Sequence, residues 1–217
     1  MTRVFAAGIP EMSKDTFERL LKRVSVERRE KISKLKIHSK KCQSLTAELL
    51  LRAVLVTQYV MCEEDIVIEK TPEGKPYLKG DSGFHISLSH CEGCVAVSVS
   101  DNGVGVDIER IRDIDLKIAK RFFTAREQEY VFATTDGQTE RFFEVWTRKE
   151  ALVKFMGNGL SVGMHACTVE NHEKFKSFVF DGYTLSVCTD EDNMDDVSFL
   201  LADELLSEYI VQKVNFL

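Results

Sequence analysis

The chain has 217 residues, 44% of them hydrophobic, with 29 Lys and Arg against 35 Asp and Glu for a formal net charge of −6. This is ordinary for a soluble globular protein long enough to bury one large core or two smaller ones. The acidic balance argues against nucleic acid as a partner, and no stretch approaches a membrane span. The opening MTRVFAAGIP holds no apolar run long enough for a signal peptide, so a cytoplasmic location is expected.

Taken in chain order, VFAAGI reads as a short strand, and residues 26–36 and 42–60 as two helices, the second strongly apolar and central to a core. Residues 22–41 hold nine Lys or Arg against two Glu, either a solvated helix face or a phosphate-binding surface. IVIEK (66–70) and PYL (76–78) flank a turn marked by Pro72 and Gly74. FHISLSH and CVAVSVSDNGVGVDIER read as strands, with DNG at 101–103 as a hairpin turn. The six cysteines do not form a disulfide framework, and Cys91-Glu92-Gly93-Cys94 reads as a turn with two small, partly buried thiols.

Beyond Arg110 the pattern becomes helical over 115–123. Thr124 and Glu127 then form a capping box that opens the next helix. Residues 139–157 read as a long amphipathic helix with Phe142, Val145, Trp146, Leu152, Val153 and Met156 as its apolar stripe, stopped by GNG at 157–159. FKSFVF, YTLSVC and EYIVQKV follow as strand-like runs. Both halves share a plan of short helix, long helix, glycine turn and strands, which predicts an α+β fold of two similar α/β halves related by pseudo-twofold symmetry.

GVGVDIER (103–110) carries the first chemical signal. Alternation sends Val104, Val106 and Ile108 to one side of a strand and Asp107 and Glu109 to the other. A lone D-x-E is usually a solvated strand face, yet two carboxylates so close repel unless a cation, a proton or a basic partner lies between them. In VWTRKEALVK, Glu150 and Lys154 are helix neighbours, and alone they would make a surface salt bridge. Glu150 converging with Asp107 and Glu109 would instead make an oxygen-rich site for a hard divalent cation such as Mg²⁺, with Lys154 suited to a phosphate. His90 of SLSHC stands at a loop edge, where a ligand contact competes with a structural hydrogen bond. No serine-hydrolase order or phosphate-cradling glycine loop is present.

KPYL, FHISLSH, GVGVDIE, RFFTAREQEYV and WTRKEALVK, in that order and spacing, resemble the 4′-phosphopantetheinyl transferases, best the two-half, surfactin-synthetase-activating type. The resemblance runs from SVERREKI to GNGL and rests on V-G-V-D-x-E together with W-x-x-K-E-x-x-x-K. It implies transfer of the 4′-phosphopantetheine group of coenzyme A to a serine of an apo acyl or peptidyl carrier protein, releasing adenosine 3′,5′-bisphosphate. Asp107, Glu109 and Glu150 would then hold Mg²⁺, with Mn²⁺ as the alternative. Glu150 or a water it orients would be the base, and Lys154 and His90 would contact the pyrophosphate. Arg28, Lys31, Ser44, Lys75 and Ser89 would complete the coenzyme A site. Residues 1–104 would form the half that binds the 3′-phosphate and adenine, and 105–217 the half with the metal site and catalytic helix. A pseudo-dimer of this kind is expected to be a monomer. Cys91 stands where the family commonly has a hydroxyl, and a thiol there would weaken a phosphate contact. Residues 111–135, with Phe122 or Phe123, offer either a carrier-docking surface or core. The rival readings are a metal-dependent nucleotide pyrophosphohydrolase, which would cleave coenzyme A without an acceptor, and a non-catalytic binding module.

Overall fold

The computed structural model describes residues 1–80, 83–157, 167–169 and 172–215. Strand β1 (Thr2–Gly8) leads through α1 (Lys14–Leu21) and α2 (Val26–Ser33), whose first turns are capped by the Ser13 and Ser25 hydroxyls. The chain then enters α3 (His38–Gln58). From Cys42 to Leu55 this helix is buried on every side, its polar Gln43, Ser44, Thr46, Glu48 and Arg52 included. A short hairpin, β2 (Ile68–Lys70) and β3 (Pro76–Leu78), precedes β4 (His85–His90) and β5 (Cys94–Ser100).

β6 (Val104–Arg110) begins a second sheet rather than completing a hairpin with β5. Asp101-Asn102-Gly103 therefore carries the chain between sheets, and the hairpin expected from DNG is not formed. Helices α4 (Lys117–Phe122), α5 (Ala125–Phe132) and α6 (Gln138–Met156) follow, then β7 (Phe175–Phe180) and β8 (Tyr183–Thr189). The Thr124/Glu127 capping box is present, and Gly157 ends α6 in the left-handed conformation at φ 72°. Asn158 and Gly159 of the GNG signal lie outside the described residues.

Four layers result. The first sheet has strand order β4-β5-β1-β9, where β9 is Ser198–Leu201, and the second has order β6-β8-β7. Alternation assigns the faces. Val95, Val97 and Val99 pack under α3, whereas Val4 and Ala6 of the first sheet meet Val104, Val106, Ile108, Leu185 and Val187 of the second. α6 covers the outer face of the second sheet. The mixed α+β architecture expected from the sequence is thus two α/β halves stacked sheet to sheet.

The last residues depart from expectation. EYIVQKV lies within helix α7 (Asp203–Asn215), and β9 pairs in parallel with β1. Leu206 and Tyr209 are three apart and bury one face of α7 in the α3 core, so the helical period wins over the short alternating run. Residues 198–215, assigned by chain order to the second half, consequently pack with the first. Phe123 is buried and Phe122 sits edge-on to Trp146 at 5.7 Å, so both rings pack at least partly into the α6 core. All six cysteines are free. Burial pushes the Cys91 and Cys94 thiols up to about 12, and Cys91 faces the inter-sheet core rather than a cleft. Among the described residues no helix is long and apolar enough to cross a membrane.

Two features seat α6. Lys149 is fully buried, its ammonium 2.8 Å from Glu127 and also bonded to the Cys167 carbonyl. Glu127 in turn accepts the Val169 amide at 3.0 Å, so this pair joins α5, α6 and residues 167–169. At Gly105 the helix comes so near β6 that a Cβ would lie 2.1 Å from the Ala151 carbonyl oxygen and 2.4 Å from the Phe155 nitrogen. Gly105→Ala is expected to cost about 3 kcal/mol, near the upper end for overpacking, because the obstacle is backbone. Urea denaturation measures it, and an unchanged midpoint would contradict this close approach.

Candidate active site

The charged residues meet where β4, the edge of the first sheet, lies beside β6, the edge of the second. Serine hydroxyls join the two edges. Ser87 accepts from the Val106 amide at 3.0 Å and Ser89 from that of Ile108 at 3.4 Å, while Ser89 donates to Asp107 Oδ1 at 2.7 Å. Asp107 is therefore not on a solvated face. It is 5% exposed beneath α6.

Lys154, reaching down from α6, donates to the same Oδ1 at 2.7 Å and to the Val106 carbonyl at 3.0 Å. Among the described residues it forms no ion pair with Glu150, its neighbour one turn back. The pair that helix spacing alone would give is replaced by one across to the strand. Asp107 Oδ2 is buried with no hydrogen-bond partner among the described residues, an arrangement that costs free energy unless another cation or donor approaches.

Burial raises the pKa of Glu150 above its ordinary value, and the Asp107 charge adds to the rise against the pull of Lys154. Glu109 is raised for the same two reasons and held back by Arg112, 3.5 Å away. Asp107 thus lies within electrostatic reach of both glutamates. Among the described residues, however, His, Cys, Asp and Glu nowhere form a ready-made cluster of three or more metal ligands. The donor set still fits a hard cation: Glu109 and Glu150 flank buried Asp107, whose Oδ2 is orphaned.

A cleft of about 440 Å³ opens beside this group. Glu150 and Lys154 line one wall and Arg28, Lys31 and Ser44 the other, with Lys75 and His90 between. Seven of the residues singled out in the sequence therefore share one cavity. Ser89 does not line it and instead holds Asp107. Arg28 is fixed by the Ser44 carbonyl at 2.8 Å and by buried Glu48 at 3.1 Å, and Lys31 pairs with Glu27 at 2.5 Å.

Glu48 and Lys70 are among the cleft residues that the sequence reading did not single out. Glu48, a lone acid within the apolar run of α3, could have been marked by that contrast. Lys70 carries no local signal. It reaches the cleft because its hairpin packs beside β4, and burial with Arg28 and Lys31 nearby lowers its pKa.

Two family models match in succession. The model described as "4′-phosphopantetheinyl transferase, N-terminal" covers residues 11–102, and that of the "4′-phosphopantetheinyl transferase superfamily" covers 103–204. The chain is 36% identical to the 4′-phosphopantetheinyl transferase psf-1 of Bacillus pumilus over 72% of its length and 67% of that protein. It is 29% identical to gsp of Aneurinibacillus migulanus over 82% and 81% of the two chains. With Sfp of Bacillus subtilis (strain 168) it shares 29% over 90% and 95%. The chain belongs to the 4′-phosphopantetheinyl transferase superfamily, and within it to the type of Sfp, gsp and psf-1.

His90 supplies a direct check on the cleft. Partial desolvation and the charges of Lys154, Lys40 and Arg28 lower its pKa from 6.5. The unfolded chain therefore takes up the proton first, and the stability associated with this group falls as pH drops below 6.5. NMR titration is expected to place His90 below 6.5 in the free protein and to move it upward when inorganic pyrophosphate offsets those cations. A His90 that titrates normally, with no response to pyrophosphate, would contradict this electrostatic setting.

Proposed function

We propose that this transferase moves the 4′-phosphopantetheine group of coenzyme A onto a serine hydroxyl of an apo acyl or peptidyl carrier protein. The observation that carries the reading is the shared cleft, where the cations Arg28, Lys31, Lys75 and Lys154 meet the carboxylate of Glu150 beside buried Asp107. The wall contributed by residues 1–104 suits the 3′-phosphate and adenine, with Arg28, Lys31, Ser44 and Lys75 as contacts. The wall built on β6 and α6 suits the pyrophosphate and the reacting hydroxyl.

Lys154 and His90 would bind pyrophosphate oxygens, and Lys154 would stabilise the charge that develops as the phosphorus–oxygen bond to the nucleotide breaks. Glu150, directly or through an ordered water, would take the serine proton, a role that its raised pKa suits. The serine oxygen then bonds to phosphorus, and adenosine 3′,5′-bisphosphate leaves. Ser89, through Asp107, is a positioning residue in this scheme. Asp107, Glu109 and Glu150 would hold Mg²⁺, with Mn²⁺ as substitute, and the ion when bound neutralises charge on the departing phosphate. Each chain carries both walls of the cleft, which supports a monomer. A cytoplasmic setting agrees with substrates of this kind.

Intact-mass spectrometry of an apo carrier protein with this protein, coenzyme A and Mg²⁺ tests the reading. A phosphopantetheine adduct is expected, abolished by EDTA and slowed about 10²–10⁴-fold by Glu150→Ala, the range for loss of a general base. Cleavage of coenzyme A with no adduct on several carriers would favour a pyrophosphohydrolase instead.

A further inference from the structure

Lys75 lies in the turn between β2 and β3 and lines the cleft, and its ammonium is engaged across the fold. Nζ donates to the Phe155 carbonyl at 2.6 Å, bridging 80 positions of sequence from the first half of the fold to the second. Phe155 lies in the last turn of α6, where carbonyls run beyond the reach of intrahelical donors and a cation complements the helix dipole. The Lys75 stem also lies against Gly157, where a Cβ would fall 2.9 Å from Lys75 Cδ, and the ammonium stands 5.8 Å from the centre of the Phe155 ring.

The turn presenting Lys75 is itself held. Thr71 donates its amide to the Lys75 carbonyl at 2.9 Å and accepts the Lys75 amide on its hydroxyl at 3.2 Å, while Gly74 takes φ 96° and bonds back to the Thr71 carbonyl at 2.9 Å. The Phe155 backbone also meets Gly105 of β6, where a Cβ would lie 2.4 Å from its nitrogen. The residue just before it is Lys154, whose ammonium grips Asp107. The end of α6 is thus clamped between β6 and a hairpin of the opposite half.

We infer that Lys75 is a positioning residue that fixes the end of α6, and through it Lys154, against β6. The inference deepens the proposed transferase reading. An ammonium has three donors, and the bond to Phe155 leaves the others for a phosphate in the cleft.

Lys75→Met keeps the stem and removes the charge, while Lys75→Arg retains a cationic donor. In hydrogen exchange, K75M is expected to speed exchange at the end of α6 about tenfold while α3 stays protected, and K75R to restore the wild-type pattern. In the transfer assay, K75M should lower kcat about 10–100-fold, the scale of a small misplacement, in addition to any rise in the KM for coenzyme A from the lost cleft cation. Unchanged exchange together with a raised KM and intact kcat would make Lys75 a phosphate ligand only and overturn the inference. Faster exchange throughout the protein, or a K75R as unprotected as K75M, would overturn it as well. If the wild-type chain transfers nothing, the functional reading fails, and the exchange comparison still decides the role of Lys75.

Discussion

The close seating of α6 on β6 is the constraint on which the site depends. Because residue 105 has no side chain, the helix backbone drops onto the strand, and only at that separation does the Lys154 stem deliver its ammonium to Asp107. The same approach buries Asp107 and leaves Oδ2 without a partner. Buried Lys149 and Glu127 tie the other side of the helix to α5 and to residues 167–169. Such a pair adds little net stability, but its geometry allows few alternatives, which suits a helix that must present two charged groups accurately.

Electrostatics follow from this packing. Burial, reinforced by the charge of Asp107, raises the pKa values of Glu109 and Glu150, while burial reinforced by neighbouring cations lowers those of His90 and Lys70. Both imbalances are sustained by the fold, since the side chains are held by strands and helices with cores of their own. A ligand that is anionic toward Arg28, Lys31 and His90, accompanied by a cation toward Asp107 and Glu150, would relieve both at once. The cleft therefore selects by charge placement as much as by shape.

Much of this was legible in the residues. The alternation in GVGVDIER assigned Val104, Val106 and Ile108 to a core, and they line the inter-sheet layer. The Thr124/Glu127 box and Gly157 marked helix ends that the structure contains. DNG misled because a turn dipeptide reports local backbone preference, and whether the following strand rejoins the same sheet depends on which face finds a partner. EYIVQKV misled because a short apolar run satisfies two periods, and only the α3 surface chose between them.

Residue type and spacing by themselves determined the kinds of chemistry available: a D-x-E strand, a K-E-x-x-x-K helix, a basic N-terminal segment and an α+β plan. Those are properties of local geometry, since a strand repeats every two residues and a helix every three or four. Tertiary structure alone decided the pairings. It turned Lys154 from Glu150 to Asp107, withdrew Ser89 from the cleft to hold that aspartate, brought Lys70 and Glu48 into the cleft, and set Lys75 on the end of α6. Each of these contacts depends on how closely two elements approach. That distance is set by packing across the whole core, and no window of sequence contains it.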